Sequence, residues 1–127
     1  MSRIYTIRTK RIYDAASASD GYRILADRLW PRGIKKEDAA LCGWIRNLAQ
    51  SAKLRKSFAH DIRQFAAFQT AYRAELDGSP AALEFACSCG IELQSRNVTL
   101  LYAAKDKTYN NASVLCEWIE QQIERGN

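Results

Sequence analysis

The chain has 127 residues, of which 47% are hydrophobic and 26% charged, and its formal net charge is +5. That is the size and make-up of one globular domain with its own core, which excludes a disordered, collagen-like or disulfide-stapled chain. No run approaches the about 18 consecutive apolar residues of a membrane span. Met1-Ser2-Arg3-Ile4-Tyr5 also lacks the apolar core of a secretory signal. A single domain over residues 1–127, cytoplasmic and without a membrane partner, is expected.

In chain order, Ile4 to Thr9 alternates and is rich in β-branched residues, which predicts a strand. Asp14 to Gly21 is rich in Ala, Ser and Asp and predicts a loop. Tyr22 to Asp27 predicts a second strand, followed by a charged loop from Arg28 to Lys36. Leu41, Trp44, Ile45 and Leu48 fall at i, i+3, i+4 and i+7, the stripe of an amphipathic helix. Ser51 is placed to cap a short helix carrying Leu54 and Phe58. Asp61 is placed to cap the next, with Phe65, Phe68, Tyr72 and Leu76 inward and Gly78 at its end. Ser79-Pro80 opens another, as an N-cap followed by a first-turn proline; Leu83, Ala86, Cys87 and Gly90 form its expected inner stripe. Val98 to Ala104 is almost continuously apolar, as a strand buried on both faces should be. Ala112, Leu115, Cys116, Ile119 and Ile123 mark a terminal helix closed by Gly126. The fold class is therefore α/β: a small parallel or mixed sheet with flanking helices and a long helical insertion between the second and last strands.

The cysteines, Cys42, Cys87, Cys89 and Cys116, read as reduced thiols, some packing as small hydrophobes. Cys87-Ser88-Cys89 lacks the two-residue gap of a zinc knuckle, and His60 is the sole histidine. No metal or cofactor is expected.

Charge is uneven. Residues 1–36 hold nine Lys/Arg against three Asp, giving +6; residues 37–76 carry +2 and residues 77–127 carry −3. An anionic partner for one face would account for this, and so would a solvated basic surface. In open α/β sheets, ligands bind beyond the carboxyl ends of the strands. Two charged loops fall there: Asp27, Arg28, Trp30, Arg32, Gly33, Lys35 and Lys36 after the second strand, and Lys105, Asp106, Lys107, Tyr109, Asn110 and Asn111 after the third. Guanidinium groups offer bidentate contacts to phosphate or carboxylate, and a helix start favours an anion. Asn110 or Asn111 could instead be only the N-cap. Asp27 could pair with Arg28 or Arg32, or act as a base. Trp30 either packs over the core or offers a stacking face, and Gly33 supplies a positive-φ turn or close ligand approach. Arg55, His60, Tyr72 and Glu75 are secondary candidates, with Tyr72 and Glu75 near enough on one helix to bond each other. No phosphate-binding glycine loop, dinucleotide fingerprint or nucleophile elbow is present.

Arg11-Ile12-Tyr13-Asp14, Asp20 to Leu25 and Asp27-Arg28-Leu29-Trp30-Pro31-Arg32-Gly33-Ile34-Lys35-Lys36 resemble the opening of the YeaO-like family, part of domain of unknown function 488. The resemblance continues through Trp44, Ser51, Leu54-Arg55-Lys56, Phe58, Phe68, Tyr72 and Glu75-Leu76 to Thr99–Asp106 and Asn110. It implies a small, soluble bacterial protein and marks Asp27, Arg28, Trp30, Arg32, Gly33, Tyr102, Lys105 and Asn110 as signature positions. It brings no established activity. Asn111 departs from the histidine that related chains tend to carry there. Longer relatives carry a Cys-His-Arg cluster in that loop; here it reads Asn110-Asn111-Ala112, so no cysteine-based function is carried over.

The expected function is a basic crevice for a phosphate- or carboxylate-bearing small molecule, with or without turnover. The alternatives are nucleic-acid binding through the basic N-terminal third, and a protein-interaction module without ligand chemistry.

Overall fold

A computed structural model describes residues 4–48, 51–58 and 61–126. Its strands are β1 (Ile7–Arg11), β2 (Tyr22–Leu25), β3 (Gly43–Trp44) and β4 (Val98–Tyr102). Its α-helices are α1 (Lys36–Ala39), α2 (Ala52–Phe58), α3 (Phe65–Asp77), α4 (Pro80–Glu92) and α5 (Asn111–Gly126). The strands make one parallel sheet in the order β1-β4-β2-β3. Thus β4, the last in sequence, lies in the middle and is buried at every position. Parallel sheets need both faces covered, which is why its residues are apolar almost throughout.

Side chains alternate across the sheet. Ile24 and Ala26, with Leu100 and Tyr102, enter the main core beneath α3, α4 and α5. Leu25 and Leu101 enter a smaller core on the opposite face, closed by Ile12, Ala39, Trp30, Ile34, Leu41 and Trp44. The charged loop after β2 is therefore also the cover of that second face.

Several boundaries differ from expectation. Tertiary pairing shifts the first strand to Ile7–Arg11, where Ile7 registers with Val98 and Arg11 with Tyr102. The helix expected over Leu41 to Leu48 does not form: Gly43–Trp44 adds a short parallel strand to β2, and Arg46–Leu48 makes a 3-10 turn. The four apolar residues divide between the sheet's two faces, Leu41 and Trp44 on the small core, Ile45 and Leu48 on the large one. Strand alternation across consecutive residues 44 and 45 thus prevails over helical spacing. In α4 the inner stripe is Ala82, Ala86 and Cys89, while Leu83 is 46% exposed. This helix is apolar nearly all round, and its smaller residues take the closest contacts.

Most end signals are read as expected. Ser51 Oγ accepts from Leu54 N at 3.2 Å and Ser79 Oγ from Ala82 N at 3.2 Å, with Pro80 at the start of α4. Asp61 accepts from Arg63 N at 3.0 Å, but caps the 3-10 turn Ile62–Gln64 that leads into α3 rather than α3 itself. Gly78 follows the last residue of α3. Among the described residues no helix is long and apolar enough to cross a membrane.

Candidate functional site

The loops leaving β2 and β4 diverge. The first runs out to the β3 edge, and the second turns into α5, which packs against β1 and β4. Their separation leaves a cleft of about 320 Å³ at the carboxyl end of the sheet. Asp27, Arg28, Trp30, Arg32 and Asn110, all expected at the site, line it together with Arg55 and Asn111. Phe58 and Phe68, stacked at 4.6 Å between centroids, give it an apolar wall.

Asp27 ties the strand ends together. Its Oδ2 accepts from Ala103 N and its Oδ1 from Asn111 Nδ2, both at 2.9 Å, while its carbonyl accepts from Trp44 Nε1 at 2.7 Å. Among the described residues it forms no ion pair with Arg28 or Arg32, contrary to one expectation. The carboxylate points along the sheet toward β4 and α5, and both arginines are exposed.

Asn110 is the N-cap of α5. Its Oδ1 accepts from Ser113 N at 2.8 Å, and its Nδ2 donates to Asp106 O at 2.9 Å. Asp106 in turn accepts from the Thr108 and Tyr109 amides, which lower its pKa. Asn111 is also buried and reaches Ala26 O at 3.5 Å as well as Asp27. The cleft therefore adjoins the positive end of a 16-residue helix.

Trp30 packs rather than presenting a free ring. Its Nε1 donates to Ile34 O at 2.7 Å, and its ring stands edge-on to Trp44 at 5.5 Å. Gly33 adopts φ +80°, as the third residue of a type II turn over Pro31 to Ile34 requires.

Other expected site residues lie elsewhere. Tyr102 is buried in the main core, where desolvation raises its pKa. Lys105 is exposed, and neither it nor Gly33 lines the cleft. His60 lies outside the described residues. Tyr72 and Glu75 do not bond each other. Tyr72 Oη donates to Leu48 O at 2.7 Å, and burial pushes its pKa far up. Glu75 accepts from Ser51 N and Ser51 Oγ at 3.1 and 2.7 Å. Both line a second cleft that shares Arg28 and Leu29 with the first.

Tyr13 and Arg11 are the residues sequence reasoning missed. Tyr13 lines the cleft, donating from Oη to Arg32 O at 2.8 Å. Arg11 sits over the Tyr13 ring at 4.9 Å and donates to Ala104 O and Ala103 O at 2.9 and 3.2 Å. The strand-end rule would have found both, had the first strand been read to end at Arg11 instead of Thr9.

Fold and cleft together define a small parallel α/β protein whose strand ends open onto an arginine-lined cleft. Residues 6–127 match the model of a family described as the inactive DUF488-N3 subclade, and the chain belongs to that YeaO-like branch of the DUF488 family. It is 44% identical to the uncharacterized protein YeaO of Escherichia coli K12 over 113 residues, 89% of this chain and 96% of that protein. The uncharacterized proteins Mb3100c of Mycobacterium bovis and Rv3073c of Mycobacterium tuberculosis are each 32% identical over 117 residues, 92% of this chain and 96% of theirs. No solved structure matches the chain.

Proposed function

We propose that the cleft binds a small phosphate- or carboxylate-bearing molecule and holds it without turnover. The observation that carries this reading is the convergence of Arg28, Arg32 and Arg55 with the start of α5 on one cleft. None of these arginines forms an ion pair among the described residues. Three guanidinium groups and a helix N-terminus make a positive site suited to bidentate contact with an oxyanion. Binding without chemistry is favoured because Asp27, the carboxylate nearest the basic groups in sequence, has both oxygens engaged by Ala103 and Asn111. The description of the matching family as inactive supports the same choice. The four free cysteines, two of them exposed, suit a reducing compartment and a cytoplasmic setting. A small anion is favoured over a nucleic-acid strand because Trp30, the expected stacking platform, has its ring against Trp44.

Thermal unfolding with inorganic phosphate tests the reading. Ligand at about ten times Kd contributes about 1.4 kcal/mol, a rise in Tm of several degrees for a domain of this size. The Arg28→Ala/Arg32→Ala double variant should lose that rise. Equal stabilisation of the variant, or none of either protein by phosphate or acetate, would refute anion binding.

A further inference from the structure

The second cleft, about 610 Å³, adjoins the anion cleft through Arg28 and Leu29 and is built from a different set of groups. Arg46 and Asn47 supply donors, and Arg46 is held over the Trp44 ring at 5.1 Å. Glu75 supplies an acceptor. Each of its oxygens takes one hydrogen bond from Ser51, and no cation pairs with it among the described residues. An ionised carboxylate offers about four lone-pair sites, so acceptor capacity remains. Leu29, Leu48 and Leu76 add apolar surface.

Resting on the anion reading of the first cleft, we infer that the ligand is a phosphorylated polyol of the sugar-phosphate class, its phosphate in the first cleft and its hydroxyl-bearing body in the second. A second phosphate fits poorly, because Glu75 would face it with like charge. A purely apolar body would strip water from the remaining acceptor sites of Glu75 and from Arg46 and Asn47 without replacing those hydrogen bonds. Hydroxyl groups satisfy both kinds of site, donating to Glu75 while accepting from Arg46 or Asn47. The volume accommodates a pentose or hexose.

Titration calorimetry with inorganic phosphate, n-butyl phosphate, ribose 5-phosphate and glucose 6-phosphate separates the two readings. At least one sugar phosphate should bind about tenfold tighter than both inorganic and butyl phosphate, the gain expected from one or two net hydrogen bonds. Glu75→Gln keeps an acceptor for Ser51, and Asn47→Ala leaves the Ser51 contact untouched. Either variant should reduce the sugar phosphate's advantage over inorganic phosphate, each ratio taken within the same protein. Butyl phosphate binding as tightly as the sugar phosphates, or an advantage that survives both variants, would overturn the polyol subsite while leaving the anion site standing. Failure of every phosphate to bind would remove both.

Discussion

Asn111 Nδ2 donates to Asp27 Oδ1 at 2.9 Å and so clasps the first turn of α5 to the exit of β2. The same carboxylate takes the Ala103 amide at 2.9 Å, so one side chain links two adjacent parallel strands to the helix that follows the second. The geometry of the cleft depends on this junction, because Arg28 and Asn110 stand next to its two members in the chain.

Breaking the clasp should loosen the cleft as well as the fold. Asn111→Ala removes one donor from Asp27 and is expected to cost about 1–3 kcal/mol. Asn111→Asp should cost more at neutral pH, since it sets two carboxylates against each other. Part of that loss should return as pH falls and one of the pair takes up a proton. Urea melts of the three proteins at pH 7 and pH 5 provide the comparison. A variant as stable as the parent at pH 7 would mean that the junction contributes little.

Asp20 should govern stability in acid. Its burial favours the neutral form, but hydrogen bonds from Ser17, Lys10 and Arg23 outweigh that and hold its pKa at about 2. Because the folded pKa lies below the unfolded value, the stabilisation is complete above about pH 4 and fades as pH falls toward 2. The difference corresponds to about 2 kcal/mol. Asp20→Asn should lower Tm at pH 7, leaving Arg23 buried without its carboxylate. It should also flatten the decline of Tm between pH 4 and pH 2. An unchanged slope in the variant would assign the acid sensitivity to other groups.

The two positive-φ glycines should respond differently to alanine. A Cβ on Gly21, at φ +63°, would stand 2.3 Å from the Asn97 carbonyl oxygen, against backbone that bonds Tyr22. A Cβ on Gly33, at φ +80°, meets nothing within 4 Å. Gly33→Ala should therefore cost only the backbone strain, about 1–2 kcal/mol, and Gly33→Asn less. Gly21→Ala adds a steric clash to the same strain and should cost more. Equal losses in chemical denaturation would show that the turn at 21 can move away from β4.

Thiol reactivity should grade the cysteines by burial. Burial pushes the Cys89 and Cys116 thiols up to about 12, whereas Cys42 and Cys87 are exposed. Iodoacetamide at pH 8 should modify Cys42 and Cys87 first, the half-buried Cys116 more slowly, and Cys89 only on unfolding. Mass spectrometry of a time course checks this, and early labelling of Cys89 would contradict the packing of α4 against α5.

What was legible in the sequence was what local physics decides. The buried strand at 98–102, the caps at Ser51, Asp61 and Ser79, and the stripe of Phe68, Tyr72 and Leu76 each follow from periodicity or a terminal hydrogen bond. Illegible features depend on partners far along the chain. Trp44 becomes a strand residue because Leu25 stands beside it, a pairing no local window contains. Tyr102 carries a polar tip like Tyr13, yet parity along β4 turns it into the core, while Tyr13, just beyond β1, faces the cleft. The basic loop from Arg28 to Arg32 lines one wall of the cleft. That it also roofs a second small core, through Trp30 and Ile34, needed the sheet's other face to be seen.

The central place of β4 has a consequence for the chain's birth. Its neighbours β1 and β2 do not touch each other in the sheet; each is hydrogen-bonded to β4, joining residue 7 to 98 and residue 22 to 98. On a ribosome, β1 must wait unpaired, and β2 with only the short β3 beside it, until Val98–Tyr102 has been synthesised. Closure between such distant segments is entropically slow. The sheet and the cleft at its edge can therefore be completed only once β4 has been made.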